Sequence, residues 1–182
     1  MVPLGNPGNK ENDTPMAATL HEILLAPDVE PAVGTDCYQL IGQELDDKSG
    51  VSGTALKLAY KTVNAFMPGH IEFMVRDLLP DMVTQLEPFW AAFATSGGAE
   101  FGDYLTKRGD EVAEALLTVT DARCAASGRP TVIKAYKSVR GSAGKHITAA
   151  LPRVGALVQK YARLSRPRAD LAGPSGYRAR HG

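Results

Sequence analysis

The four histidines are the first side chains to test for metal or acid–base chemistry, because imidazole is a frequent metal ligand and titrates near neutral pH. A di-iron helical bundle carries a glutamate three residues before each ligating histidine. The positions three residues before the histidines hold no acid, and are Ala18, Met67, Ala143 and Arg178. The His-Glu-x-x-His pattern of zinc hydrolases is also absent. The sequence therefore predicts no metal site and no cofactor.

A glycine-containing segment at 141–146, Gly-Ser-Ala-Gly-Lys-His, superficially resembles a phosphate-binding loop. The full motif requires a glycine where Val139 stands and a Ser or Thr where His146 stands, and it follows a β-strand. A helix terminus is the better interpretation of this segment. The nucleophile-elbow pattern Gly-x-Ser-x-Gly does not occur either. We therefore predict no catalytic residues, and a protein without enzymatic activity is favoured.

Seven basic side chains near the C-terminus define a candidate interaction surface, which we call the basic face. Projected at 100° per residue, they gather on one side of the predicted helices, opposite an apolar arc. Such a surface can bind nucleic acid or acidic lipid, or it can be an ordinary solvated face. The basic face comprises Lys134, Lys137, Arg140, Lys145, Arg153, Lys160 and Arg163.

The distribution of charge offers a third interpretation of this face. Residues 1–121 contain 19 acids and 7 bases, whereas residues 122–182 contain 13 bases and the single acid Asp170. Regions of opposite sign attract each other. Neutralisation of the basic face by the first part of the same chain, or of a second copy, is therefore the leading interpretation.

The acidic counter-face that we predict consists of Glu44, Asp46 and Asp47. These residues crowd the C-terminal turn of a predicted helix, where the helix dipole disfavours anions by about 0.3–1 kcal/mol each. A basic partner nearby would relieve that cost. Aromatic side chains that could stack on bases are few around the basic face, so we expect nucleic-acid binding to be weak and non-specific.

The elements that position these residues are predicted to be helices. Alanine is abundant, and β-branched residues nowhere alternate with polar ones over five positions. We predict an all-α fold, a single multi-helix bundle whose helices are punctuated by proline. Thr19 and Glu22 have capping-box spacing. Helix boundaries or kinks are expected at Pro80 and Pro88, and boundaries at Gly141 and Pro152.

The densest apolar cluster lies between Pro80 and Phe93. Trp90, the single tryptophan, belongs to it, and we expect its side chain to be buried at the centre of the core with Leu86, Phe89 and Phe93.

Domain boundaries follow from composition. Residues 1–15 and 166–182 are rich in Pro, Gly and polar residues, so we predict a disordered tail, a helical domain over 16–165 and a disordered basic tail. No apolar run reaches the roughly 20 residues that span a bilayer, and the first residues lack the apolar region of a secretory signal. Two cysteines make no disulfide framework. We expect a cytoplasmic protein without a membrane span.

Five short segments carry a resemblance to a known family. They are Thr-Leu-His-Glu-Ile-Leu-Leu at 19–25, Leu-Leu-Pro-Asp at 78–81, Leu-Glu-Pro-Phe-Trp at 86–90, Asp-Glu-Val-Ala-Glu-Ala-Leu-Leu at 110–117 and Ala-Ala-Leu-Pro-Arg at 149–153. Together, over about Met16–Leu164, the chain resembles a family of small uncharacterised actinobacterial proteins known as a domain of unknown function. The resemblance implies an all-helical cytoplasmic domain and brings no activity or site residue.

These observations favour a non-catalytic binding or scaffolding protein that associates through charged helical faces. Its partner would be a second copy of the chain or another protein. An accessory protein that binds nucleic acid or an anionic surface is the first alternative. A helix-bundle carrier or enzyme with an apolar pocket is the second, and an enclosed pocket near Trp90 lined with polar groups would support it.

Overall fold

A computed structural model describes residues 18–128 and 130–165, except the side chains of residues 52, 55, 59, 63, 66, 131, 132 and 135. The described residues form helices and no strand, which confirms the predicted all-α fold. The predicted disorder of 1–15 and 166–182 lies outside these residues. The helices are α1 (Leu20–Leu24), α2 (Glu30–Asp47), α3 (Gly50–Phe66), α4 (His70–Ser96), α5 (Phe101–Thr106), α6 (Gly109–Ala126) and α7 (Pro130–Leu164).

Two long helices continue through residues that were expected to end or kink them. Pro80 and Pro88 lie inside α4, and Gly141 and Pro152 lie inside α7. Each proline removes a backbone donor at a cost of about 3 kcal/mol. Burial of apolar side chains on both sides of the prolines offsets this cost, as for Leu151 directly before Pro152. The prediction of separate helices at Gly141 and Pro152 was therefore wrong.

The apolar core lies between α1, α2, α4, α5, α6 and the second half of α7. Phe101 of α5 is fully buried at its centre. The centroid of its ring lies 5.1 Å from that of Trp90 and 5.1 Å from that of Phe93. The short helix α5 therefore supplies the aromatic side chain around which the others pack.

Trp90 lies at the edge of this core and is only partly buried. Its indole N–H donates a hydrogen bond of 2.9 Å to the carbonyl oxygen of Ala18. A buried indole needs such an acceptor, and one is found where the chain enters α1. The prediction that Trp90 is buried at the centre of the core was wrong, because Phe101, which has no polar atom to satisfy, takes that position.

The helix α5 crosses α7 at a contact between two glycines. A Cβ atom added to Gly155 would lie 2.2 Å from the backbone of Gly102, and one added to Gly102 would lie 2.8 Å from the carbonyl oxygen of Pro152. Only glycine permits backbones to approach this closely. The contact fixes the second half of α7 against the core.

The helix α1 is held at its N-terminus by side chains. Thr19 and Glu22 form the predicted capping box, with Thr19 Oγ1 accepting from the Glu22 amide at 3.2 Å. The carboxylate of Glu87 on α4 accepts from the amides of Leu20 and His21 at 3.1 and 3.2 Å. The segments at 19–25 and 86–90 thus serve to dock α1 on α4.

Candidate functional site

The basic face lies along α7, where its seven cations divide into two groups. Arg140, Arg153 and Lys160 form ion pairs with acids of α2 and α6. For the other four, the described residues place no carboxylate within 4.0 Å of the cationic nitrogens. These four side chains are exposed, and are Lys134, Lys137, Lys145 and Arg163.

The second half of α7 pairs with α2. Arg153 Nη1 lies 2.8 Å from Glu44 Oε1, and its Nη2 pairs with Asp47. Two helical turns after Arg153, Lys160 Nζ lies 2.6 Å from Asp36 Oδ2. Residue numbers rise along α7 as they fall along α2, so the two helices run antiparallel with their charges in register.

Asp36 of α2 accepts hydrogen bonds from two side chains of α7. The Tyr161 hydroxyl donates to Asp36 Oδ2 at 2.7 Å, beside the bond from Lys160. The bonds from Lys160 and then Tyr161 hold the pKa of Asp36 below its usual 3.8. Burial, together with the neighbouring carboxylate, raises the pKa of Tyr161 to about 12. Asp36 is therefore ionised, and Tyr161 neutral, at neutral pH.

The first half of α7 pairs with α6. Arg140 Nε lies 3.0 Å from Asp121 Oδ1, and its Nη2 lies 3.0 Å from Glu114 Oε2. The Tyr136 hydroxyl also donates to Asp121, at 2.7 Å. The bonds from Arg140 and then Tyr136 lower the pKa of Asp121. The two ends of α7 are thus tied to two different acidic helices.

Only part of the predicted acidic counter-face takes part in this pairing. Glu44 and Asp47 pair with Arg153, and Glu44 also pairs with Lys48 at 3.1 Å. The carboxylate of Asp46 has no cation within ion-pairing distance in the described ranges. Its backbone carbonyl instead accepts from Lys57 Nζ at 3.0 Å.

Three partners of the basic face were missed, namely Asp36, Glu114 and Asp121. The spacing of charged residues in the sequence could have indicated Asp36. Asp36 precedes Glu44 by eight residues, close to two helical turns, and Lys160 follows Arg153 by seven. Matching these spacings on antiparallel helices would have aligned the two pairs. Glu114 and Asp121 are likewise seven residues apart, on one side of α6.

A second surface, which we call the apolar hairpin surface, lies on α3, the first turn of α4 and the turn between them. That turn includes Gly69 at φ +77°, in the left-handed region that favours glycine. The side chains that define the surface are Val51 (91% exposed), Leu58 (65%), Met67 (48%), Phe73 (65%) and Met74 (44%). Exposed apolar side chains in such a group mark interaction surfaces. Periodicity did not reveal it, because an apolar pattern does not say whether a face is covered.

The grooves between helices offer little for chemistry. A groove of about 330 Å³ between α2 and α7 is lined by the paired Asp36, Arg153 and Lys160. A groove of about 470 Å³ lies between α4 and α6 beside Asp81 and Arg123, which pair at 3.4 Å. The charged groups in both grooves are already engaged with each other.

Other reactive groups are few in the described part of the chain. Those residues contain no group of three His, Cys, Asp or Glu side chains arranged to hold a metal. Cys37 and Cys124 are unpaired thiols, and burial raises the pKa of Cys37 to about 11. That thiol is protonated at neutral pH and is a poor nucleophile. No described helix has the length and apolarity needed to cross a bilayer.

Comparison with known proteins gives a family without a function. Residues 20–162 match a family of unknown function, DUF6918. No curated protein and no solved structure matches the chain. The matched range extends from α1 to the last turn of α7 and so covers every helix of the fold. The chain therefore belongs to the family of unknown function DUF6918.

Proposed function

We propose that this chain is a non-catalytic binding or scaffolding protein whose partner docks on the apolar hairpin surface. The observation that supports this most is that Leu58 on α3 and Phe73 on α4 are each 65% exposed, whereas the core of the same chain is buried. Monomeric proteins rarely leave such side chains grouped in water without a binding role. The basic face contributes less, because three of its seven cations are engaged inside the fold.

A specific observation favours a second candidate, the binding of an anionic polymer. Lys134, Lys137 and Lys145 are exposed along one half of α7 and have no carboxylate partner among the described residues. Three cations, none of them in a cation–π contact among the described residues, give weak, salt-sensitive attraction to phosphates rather than sequence recognition. This candidate therefore ranks below protein binding.

A carrier or enzyme role receives the least support. The cavity beside Trp90 measures about 240 Å³ and is lined in part by Gln159 and Arg163. Small-molecule sites are usually about 300–1,000 Å³. Both polar groups of the Gln159 amide are already bonded to the backbone, at Phe101 and Ala99. Both atoms of that amide are therefore held in place by the backbone rather than by a ligand.

The proposal places the protein in the cytoplasm of an actinobacterium. Unpaired Cys37 and Cys124 are consistent with a reducing compartment. The proposal of an actinobacterial origin rests on the family resemblance alone.

Photo-crosslinking tests where partners dock. A benzophenone amino acid replaces Phe73 in one version of the full chain and Leu164, another exposed apolar residue, in the control. We expect protein crosslinks from position 73 and none from position 164. Crosslinks to protein from neither position would contradict the proposal.

A titration of labelled duplex DNA at 0.15 M salt tests the second candidate. Our proposal predicts binding no tighter than the non-specific range of about 10⁻⁴–10⁻⁶ M. The comparison variant carries Lys134→Glu, Lys137→Glu and Lys145→Glu, and the control is Lys107→Glu, a single charge reversal at an exposed residue outside the basic face. Nanomolar binding that the triple variant loses and the control retains would replace protein binding with anion binding.

A further inference from the structure

We infer that Asp36, Glu44 and Asp47 of α2 set the selectivity of this chain by excluding nucleic acid from the second half of α7. The three carboxylates occupy Arg153 and Lys160, two cations that would otherwise complete a basic surface for a phosphate backbone. The inference goes beyond the proposed function, because it concerns α7 and does not depend on docking at the apolar hairpin surface.

The second half of α7 carries a row of four cations on one side of the helix. At 100° per residue they fall within about a quarter of the circle. From the first to the last of them, at about 1.5 Å per residue, the row is roughly 27 Å long. Residues 130–164 include no acid, so nothing on α7 itself opposes the attraction of this row for phosphates. The row comprises Lys145, Arg153, Lys160 and Arg163.

The ion pairs with α2 interrupt this row in its middle. Arg153 and Lys160 are each paired with carboxylates of α2. Lys145 and Arg163, at the two ends, have no carboxylate within 4.0 Å among the described residues. The row thus keeps its ends and loses the two cations between them.

Two of the three carboxylates are more enclosed than the cations with which they pair. The side chain of Glu44 is 14% exposed and that of Arg153 42%, while that of Asp36 is 26% exposed and that of Lys160 56%. Each of these two acids also accepts a further hydrogen bond within the fold. A phosphate that approaches the accessible cations must therefore compete with carboxylates that are already held in place.

The ion pairs contribute less to the position of α2 than burial does. Val33 of α2 is fully buried in the core, and Leu45 is buried near the end of the helix. Ion pairs between partly exposed side chains add little to stability. The larger consequence of these pairs is therefore electrostatic, in what the surface of α7 attracts.

Nucleic acid, rather than a lipid surface, is the polyanion that fits this row. A helix that binds a bilayer lays its apolar face into the boundary between headgroups and acyl chains. Leu151 and Val158, on the apolar side of α7, are 0% and 2% exposed, so this face is unavailable to lipid. A phosphate backbone requires only the exposed cations.

A titration of labelled duplex DNA with the full chain at 0.15 M salt tests the exclusion. The α2 variant, Asp36→Asn/Glu44→Gln/Asp47→Asn, should bind about 30-fold more tightly than the wild type, with a salt slope steeper by about 1.8, because two further phosphate contacts form. Asp36→Asn alone releases only Lys160 and should bind about fivefold more tightly.

Two controls separate the release of these cations from a change in net charge. Asp28→Asn/Asp46→Asn/Asp103→Asn removes three exposed acids that have no ion-pair partner in the described ranges. It should gain at most about threefold, because salt screens acids that do not lie beside the row. Arg153→Met/Lys160→Met should leave the wild-type affinity within about threefold and abolish the gain of the α2 variant.

Three results would overturn the inference. They are an α2 variant that binds DNA no better than the control with three other acids removed, a gain that survives Arg153→Met/Lys160→Met, and binding of the α2 variant to phosphatidylserine vesicles without binding to DNA. Circular dichroism establishes that each variant is folded, and Asp36→Asn alone decides if the α2 variant is not. Crosslinks from position 73 test the proposed function independently, so either can fail without the other.

Discussion

The second half of α7 and the helix α3 are both amphipathic, yet they differ in how far their apolar side chains are buried and their charges paired. Leu151 and Val158 of α7 are buried, and the cations beside them pair with acids of α2. On α3, Val51 and Leu58 are exposed and the flanking Lys61 has no described ion-pair partner. The contrast shows that α7 is held in the fold by buried side chains and by ion pairs within the chain, whereas the described apolar side chains of α3 are not buried.

The largest test of this contrast compares two phenylalanines. Phe101 is fully buried where α5 meets α7, and Phe73 is 65% exposed on the hairpin. Phe101→Ala should lower the free energy of unfolding by about 3–5 kcal/mol, and Trp90→Ala, at the core edge, by less. Phe73→Ala should change it by no more than about 0.5 kcal/mol. Urea unfolding measures the free energy of unfolding of all three variants. Equal decreases for Phe101→Ala and Phe73→Ala would contradict the distinction between a core residue and an exposed one.

Two glycines of the same helix provide the next test. A Cβ at Gly155 would lie 2.2 Å from the Gly102 backbone, whereas one at Gly141 meets nothing within 4 Å. Gly155→Ala should cost about 3 kcal/mol or more, because no rotamer relieves a backbone overlap. Gly141→Ala should be neutral or stabilise the protein by up to about 1 kcal/mol. Thermal melts of the two variants measure these changes in stability. A Gly155→Ala variant with an unchanged melting temperature would mean that α5 and α7 do not pack as described.

How much could be predicted from the sequence depended on whether a feature is local. The Thr19 capping box involves residues three apart, and spacing sufficed. The pairing of Asp36 with Lys160 joins residues 124 apart, and only the packing of α2 on α7 creates it. The central position of Phe101 rather than Trp90 also depends on tertiary structure, because it is decided by where an acceptor for the indole lies. The periodicity of α3 was equally uninformative about which face is covered.

Smaller effects are expected from the ion pairs that tie α7 to α2. Lys160→Met removes the pair with Asp36 and should cost about 0.2–1 kcal/mol, the range of partly exposed pairs. Arg163→Met removes a cation without a described carboxylate partner and should cost less. The difference between the two variants should shrink in 1 M salt, where the Debye length is about 3 Å. A difference that is absent at low salt would contradict a structural role for the pair.

Acidification gives the smallest effect. The pKa of Asp36 is lowered in the folded protein, chiefly by the bond from Lys160, so this carboxylate contributes stability above its unfolded value near 3.8. That contribution is lost as the pH falls through the lower folded value. We expect Asp36→Asn to remove this part of the acid-induced loss below about pH 4 and to leave the shape of the pH profile between 5 and 7 unchanged. A profile for Asp36→Asn that matches wild type below pH 4 would contradict this assignment.

Hydrogen exchange of the full chain tests the central contrast most directly. Amides of residues 151–161 should exchange only by global unfolding, because the core and α2 enclose that segment. Amides of α3 should exchange faster, through local opening, because none of the described large apolar side chains of α3 is buried. If the amides of α3 are as protected as those of residues 151–161, the account is wrong.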